Sequence, residues 1–119
     1  MASRARGTTW EEVCRDAARL PGVELATSYS TPALFVRKKL LARLREEGAT
    51  VAVRTELIER DVLLAADPSA FFVTDHYRAH PWILVRLAHA RHAMVMGLVE
   101  QAWHRTAPRK LVAARIAPG

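Results

Sequence analysis

The spacing of hydrophobic positions changes several times along this chain, and each change predicts an element. Trp10, Val13, Ala17 and Leu20 recur at helical intervals, so a first helix is predicted over residues 10–20. Thr9 stands three residues before Glu12, the spacing of a capping box with Thr9 as the N-cap. Pro21 and Gly22 then stop the helix. Residues 1–7 show no periodicity and read as a loose tail ahead of one domain spanning residues 8–119.

From Ala33 the period falls to two. Leu40, Ala42 and Leu44 point one way in this reading, and Leu41, Arg43 and Arg45 the other. Arg37, Lys38 and Lys39 interrupt the apolar run as a short hairpin turn, and Glu46, Glu47 and Gly48 form a second turn. Val51 and Val53 alternate with Ala52 and Arg54, completing a three-stranded antiparallel meander. Helical spacing returns over residues 56–66, with Leu57, Ile58, Val62 and Ala65 on one side and Thr55 as N-cap. Phe71, Phe72 and Val73 form a short buried strand, residues 75–81 a polar loop, and residues 82–87 another strand. The clearest stripe is Val95, Leu98, Val99, Ala102, Trp103 and Thr106 on a long helix that Pro108 ends. Residues 109–115 add a short final helix. Helices set around an antiparallel sheet give an α+β fold class, with helices packed on one face of the sheet.

Composition narrows the setting. At 119 residues the chain can bury one core without disulfides or metals. No run reaches the roughly 18–20 apolar residues of a membrane span, and no apolar segment follows the basic N-terminus as in a secretory signal. Cys14 is the lone cysteine, which excludes an internal disulfide and agrees with a cytoplasmic setting. Beside an apolar stripe, it reads as a small core residue. Lys and Arg together number 18 against 12 Asp and Glu, a surplus that favours polyanionic partners. Arginine supplies most of that surplus, as it also does in proteins of GC-rich genomes.

Catalytic and metal chemistry find little to stand on. The five histidines are not joined by a cysteine pair or an HExxH motif, and they read as surface and loop residues, so no metal and no cofactor are expected. Neither a GxSxG elbow nor a glycine-rich phosphate loop is present, and the chain is not expected to be an enzyme. Two constellations remain. Tyr29, His76, Tyr77 and Trp82 place aromatics beside Pro32 and Pro81 just ahead of strands, where they either line a candidate pocket or lock loop geometry. Arg43, Arg45, Arg54 and Arg86 emerge on the sheet face opposite the helices with no acid between them, and Arg37, Lys38 and Lys39 add a basic turn at the rim. A solvated outer face would carry the same residues.

The segments FFVTDHYRAHPWILVRL (71–87) and YSTPALFVRKKLLARL (29–44), with PGVEL (21–25) and the closing APRKLVA (107–113), resemble the MmcQ/YjbR-like family of small bacterial domains. That resemblance covers nearly the whole chain. It implies a compact α+β domain, likened to a double wing and to the frataxin-like fold, and the DNA-binding label that the family carries. Members often have glycine where Ser30 and Lys38 stand here. The frataxin comparison also raises iron, but Glu11, Glu12 and Asp16 are diluted by Arg15 and Arg19, so clustered oxygen ligands are lacking. The expected function is DNA binding, mainly to backbone phosphates, through Arg37, Lys38, Lys39, Arg43, Arg45, Arg54 and Arg86. The alternative is a small-molecule or protein-binding module built on Tyr29, His76, Tyr77 and Trp82.

Overall fold

The capping box forms as its sequence predicts. The Thr9 hydroxyl accepts from the Glu12 N–H and the Glu12 carboxylate accepts from the Thr9 N–H, both at 3.2 Å, opening helix α1 (Trp10–Ala17). The structure, a computed structural model, describes residues 7–28 and 30–116, so residues 1–6 of the predicted tail lie outside the described residues. Gly7 is half-buried, and a Cβ there would meet the Ala88 carbonyl oxygen at 2.9 Å. α1 ends three residues before the predicted Leu20, because the chain tightens there: the Arg19 and Leu20 N–H groups donate to the carbonyls of Asp16 and Ala17. Leu20 is nevertheless buried in the core.

Six strands form one antiparallel sheet: β1 (Val23–Ser28), β2 (Thr31–Val36), β3 (Lys39–Leu44), β4 (Thr50–Arg54), β5 (Phe71–Phe72) and β6 (Trp82–Arg86). Their order is β1-β2-β3-β4-β6-β5. The meander therefore has one more strand than predicted. β1 lies on the edge with most of its side chains exposed, so no apolar alternation marks it. The β2–β3 turn contains two residues, Arg37 and Lys38, and Lys39 already belongs to β3 opposite Val36.

The pairing of β2 with β3 overturns the predicted alternation. Phe35 faces Leu40 while Leu34 faces Ala42, leaving Leu41 as the extra residue of a β-bulge. Leu41 and Ala42 both enter the core as a result. Leu40, expected to point inward, and Arg43 are both turned to the other side of the sheet, where they line a cleft. β4 runs between β3 and β6, and Val51, Ala52 and Val53 are all buried.

Helix α4 (His92–Thr106) packs on β3 and β4, and α1 packs on α4. The predicted stripe is borne out, since Val95, Leu98, Val99, Ala102 and Trp103 are all buried. The Trp103 indole N–H donates to the Pro21 carbonyl at 2.8 Å, tying α4 to the turn after α1. A short final helix, α5 (Arg109–Ile116), follows. His92 is no simple surface residue. Its Nε2 lies 2.6 Å from Asp16 Oδ2 and its Nδ1 2.6 Å from the Thr8 hydroxyl, joining α4, α1 and the N-terminal segment. Cys14 is half-buried, and burial, with Glu11 adding to it, raises its thiol to about 11, so it stays protonated at neutral pH.

Two further elements depart from the reading of the sequence. Helix α2 (Leu57–Ala66) has Glu56 rather than Thr55 at its N-cap and is rotated from the expected orientation. Leu57, Ile58 and Val62 are exposed, while Arg60 is buried and Leu63 and Leu64 pack against the core. The segment read as a polar loop contains a one-turn helix, α3 (Asp75–Arg78). No helix among the described residues is long and apolar enough to cross a membrane.

Candidate nucleic-acid interface

On the sheet face turned away from α4, a cleft of about 500 Å³ opens between β3, β4, β6 and α3. Its wall and floor are Leu40, Arg43, Glu46, Ala52, His76, Tyr77 and Trp82. The bulge supplies Leu40 and Arg43, the pairing of Arg43 with Ala52 sets the floor, and the start of β6 supplies Trp82.

Three arginines of the predicted basic face converge here. Arg43 is buried, and its Nη1 donates to the Thr31 hydroxyl at 2.8 Å and lies 3.5 Å from the Glu46 carboxylate. The Arg45 guanidinium lies over the Tyr77 ring, 5.6 Å from its centre, and 3.8 Å from Glu46. That of Arg54 lies over Trp82 at 4.9 Å, and its Nε donates to the Leu40 carbonyl at 2.9 Å. Burial pulls the Arg54 pKa below its ordinary value, yet an arginine retains its charge. Arg45 and Arg54 thus each place a cation over an aromatic ring.

An acid does stand among them, contrary to expectation. Glu46, placed by sequence in a turn, bridges Arg43 and Arg45. Its own backbone N–H, then the two arginines, hold its carboxyl below the usual range, so it is ionised at the cleft mouth.

The remaining predicted residues divide. His76 meets Tyr77 edge-on, with ring centres 4.9 Å apart. Tyr29 lies outside the described residues. Arg86 does not reach the cleft: its guanidinium lies 4.1 Å from the centre of the Phe72 ring and donates to the carbonyls of Pro68 and Ser69, clamping the turn before β5. Arg37, Lys38 and Lys39 are exposed, and among the described residues none forms an ion pair. Arg37 and Lys38 have φ of 50° and 68°, and Ser30 in the neighbouring hairpin has 68°. Positive φ at both central residues is the pattern of a two-residue type I′ hairpin, which favours asparagine and glycine. Ser30 and Lys38 thus both stand in the left-handed region that glycine adopts most easily.

Arg60 is the residue that reading the sequence missed. Its Nη1 donates to the carbonyls of Tyr77, His80 and Trp82, and its Nη2 to that of Arg78, all within 2.8–3.2 Å. One guanidinium thereby fixes α3 and the aromatic wall. The available signal was its place on the same helical stripe as Leu63 and Leu64. Among the described residues, no group of three or more His, Cys, Asp or Glu side chains is arranged to hold a metal.

A family model described as YjbR matches residues 18–105. The chain is 29% identical over 127 residues to the uncharacterised protein Mb2600 of Mycobacterium bovis (strain ATCC BAA-935 / AF2122/97), an alignment covering 92% of this chain and 96% of that one. The same figures hold for the uncharacterised protein Rv2570 of Mycobacterium tuberculosis (strain ATCC 25618 / H37Rv). Its fold is similar to that in the crystal structure of Deinococcus radiodurans protein DR2400, which contains a DUF419 domain. The TM-score is 0.72 at 12% identity, covering 96% of this chain and 91% of that one.

Proposed function

The chain belongs to the YjbR family, and we propose that it is a non-enzymatic DNA-binding domain that grips backbone phosphates with its basic hairpin. The observation that carries this reading is the tip itself. Arg37 and Lys38 are exposed, without an ion pair among the described residues, and held at positive φ where an uncharged glycine would be less strained. Two left-handed cations are a costly way to make a turn unless their charge is used. The hairpin leads directly into β3, whose Leu40 lines the cleft.

Arg43 and Arg86 recede from the set of phosphate contacts, since each is engaged by other groups of the protein. Three exposed cations neutralising three phosphates give a log–log dependence of affinity on salt with a slope of roughly −3. Phosphate contacts position a protein without specifying sequence, so duplexes of different sequence should bind alike. Titrating labelled duplex DNA at several salt concentrations tests this; a flat salt dependence would remove the electrostatic reading. The cleft favours a second reading, a small-molecule site, because its volume of about 500 Å³ lies within the range of ligand pockets.

A further inference from the structure

The cleft and the hairpin offer different chemistry, and the difference identifies what the cleft holds. A phosphate does not suit it. Arg43 is already engaged by the Thr31 hydroxyl and by Glu46, and the ionised Glu46 carboxylate at the mouth repels a second anion. What the cleft offers is an aromatic and apolar lining: His76, Tyr77 and Trp82 beside Leu40 and Ala52, with Arg45 and Arg54 bracing the Tyr77 and Trp82 rings by lying over them. The charged groups at its edge, Arg43 and Glu46, are paired with each other. A neutral, planar heterocycle matches an aromatic and apolar cleft whose edge charges are already paired. We propose that the cleft receives an unpaired nucleobase, stacked on the Tyr77/Trp82 wall, while the 37–39 hairpin holds the phosphates beside it.

This inference rests on the DNA-binding reading and adds a substrate class to it. Bases inside a duplex are stacked on their neighbours and cannot enter a cleft, so the protein should prefer a single strand to a duplex. Fixing the wall in advance matters for such a contact. Arg60 holds the carbonyls of Tyr77, Arg78, His80 and Trp82, so the rings are positioned before a base arrives. The same heterocycle chemistry is present in a free nucleotide, and the experiment must separate the two sources.

The test uses the full wild-type chain and fluorescence anisotropy at one low salt concentration. Its probes are a labelled single-stranded oligodeoxynucleotide, an abasic strand with the same number of phosphates, a duplex of that length, and free deoxynucleoside monophosphates as competitors. Stacking one base contributes on the order of tenfold in affinity. The base-bearing strand should therefore bind about tenfold tighter than the abasic strand and tighter than the duplex, with free nucleotides competing only weakly. Trp82→Leu should bring the two single strands together while leaving the salt slope unchanged. Equal binding of abasic and base-bearing strands by the wild-type protein would overturn the inference yet leave phosphate binding standing. Binding of none of the DNA probes would overturn both readings. A free nucleotide that competes as well as the strand would overturn the assignment to a strand.

Discussion

Arg54 and Trp82 are direct partners across β4 and β6, and the guanidinium lies over the indole at 4.9 Å while its Nε holds the Leu40 carbonyl. One side chain thereby connects β6, β4 and the bulged strand β3, three of the elements that build the cleft. Arg54→Ala removes a cation–π contact and leaves a carbonyl without its donor, and should cost about 1–2 kcal/mol. Arg54→Lys should recover little, because an ammonium cannot lie flat on the ring and donate sideways at once. Urea unfolding of both variants provides the check; full recovery by lysine would show that only charge matters.

Arg60 should be the least replaceable arginine in the chain. Its removal leaves the carbonyls of Tyr77, Arg78, His80 and Trp82 without that donor. Arg60→Ala is expected to destabilise by about 3 kcal/mol or more, the range associated with breaking a buried hydrogen-bond network. Arg60→Lys should be nearly as harmful. Hydrogen exchange should show residues 75–82 losing protection before α4 does, whereas uniform loss would show that Arg60 does not act on that segment in particular.

The His92–Asp16 pair predicts the acid limb of stability. The hydrogen bond from His92, and then the charges of His92, Arg19 and Arg15, hold the Asp16 carboxyl below its usual value of 3.8. A carboxyl with a depressed folded pKa stabilises the fold above its unfolded pKa, and that contribution is lost as pH falls through the folded value. Wild type should therefore exceed His92→Ala in stability at neutral pH, and the gap should narrow as the pH drops below about 4. Denaturant unfolding at pH 7 and pH 3 measures both differences. A gap that widens in acid would contradict the assignment.

Stability and binding should trade against each other at Lys38. Its φ of 68° suits glycine better than lysine, and Lys38→Gly should stabilise the chain by about 0.5–1 kcal/mol. The same change should weaken DNA binding and shallow the salt slope by about one unit. Thermal unfolding and DNA titration of this one variant test both halves, and a loss of stability would show that the turn is unstrained.

Local patterns in the sequence were legible where one element decides its own form. The Thr9–Glu12 cap, the Val95-to-Trp103 stripe and the basic hairpin are each written within a few neighbouring residues; the first two form as expected, and the hairpin forms with a turn one residue shorter, Lys39 joining β3. What needed the fold was the relation between distant segments. The bulge at Leu41 depends on how β2 meets β3, and it reverses the inward and outward assignments of Leu40 and Leu41. β1 carries no alternation because it is an exposed edge, and α2 turns Arg60 inward because backbone carbonyls 17–22 residues later need a donor. Sequence separated a basic face from an aromatic pocket, but the fold brings both together, with Arg45 over Tyr77 and Arg54 over Trp82.

The central claim, that the hairpin cations grip DNA phosphates, is tested most directly by Lys38→Glu/Lys39→Glu in a salt titration with labelled DNA. Both residues are exposed, so folding should change by less than about 0.5 kcal/mol, verified by thermal unfolding. Affinity should fall by about the same factor for every DNA sequence, and the log–log salt slope should become shallower by about two units, one for each lost contact. A variant that remains folded and binds DNA with the wild-type affinity and the wild-type slope would contradict the account.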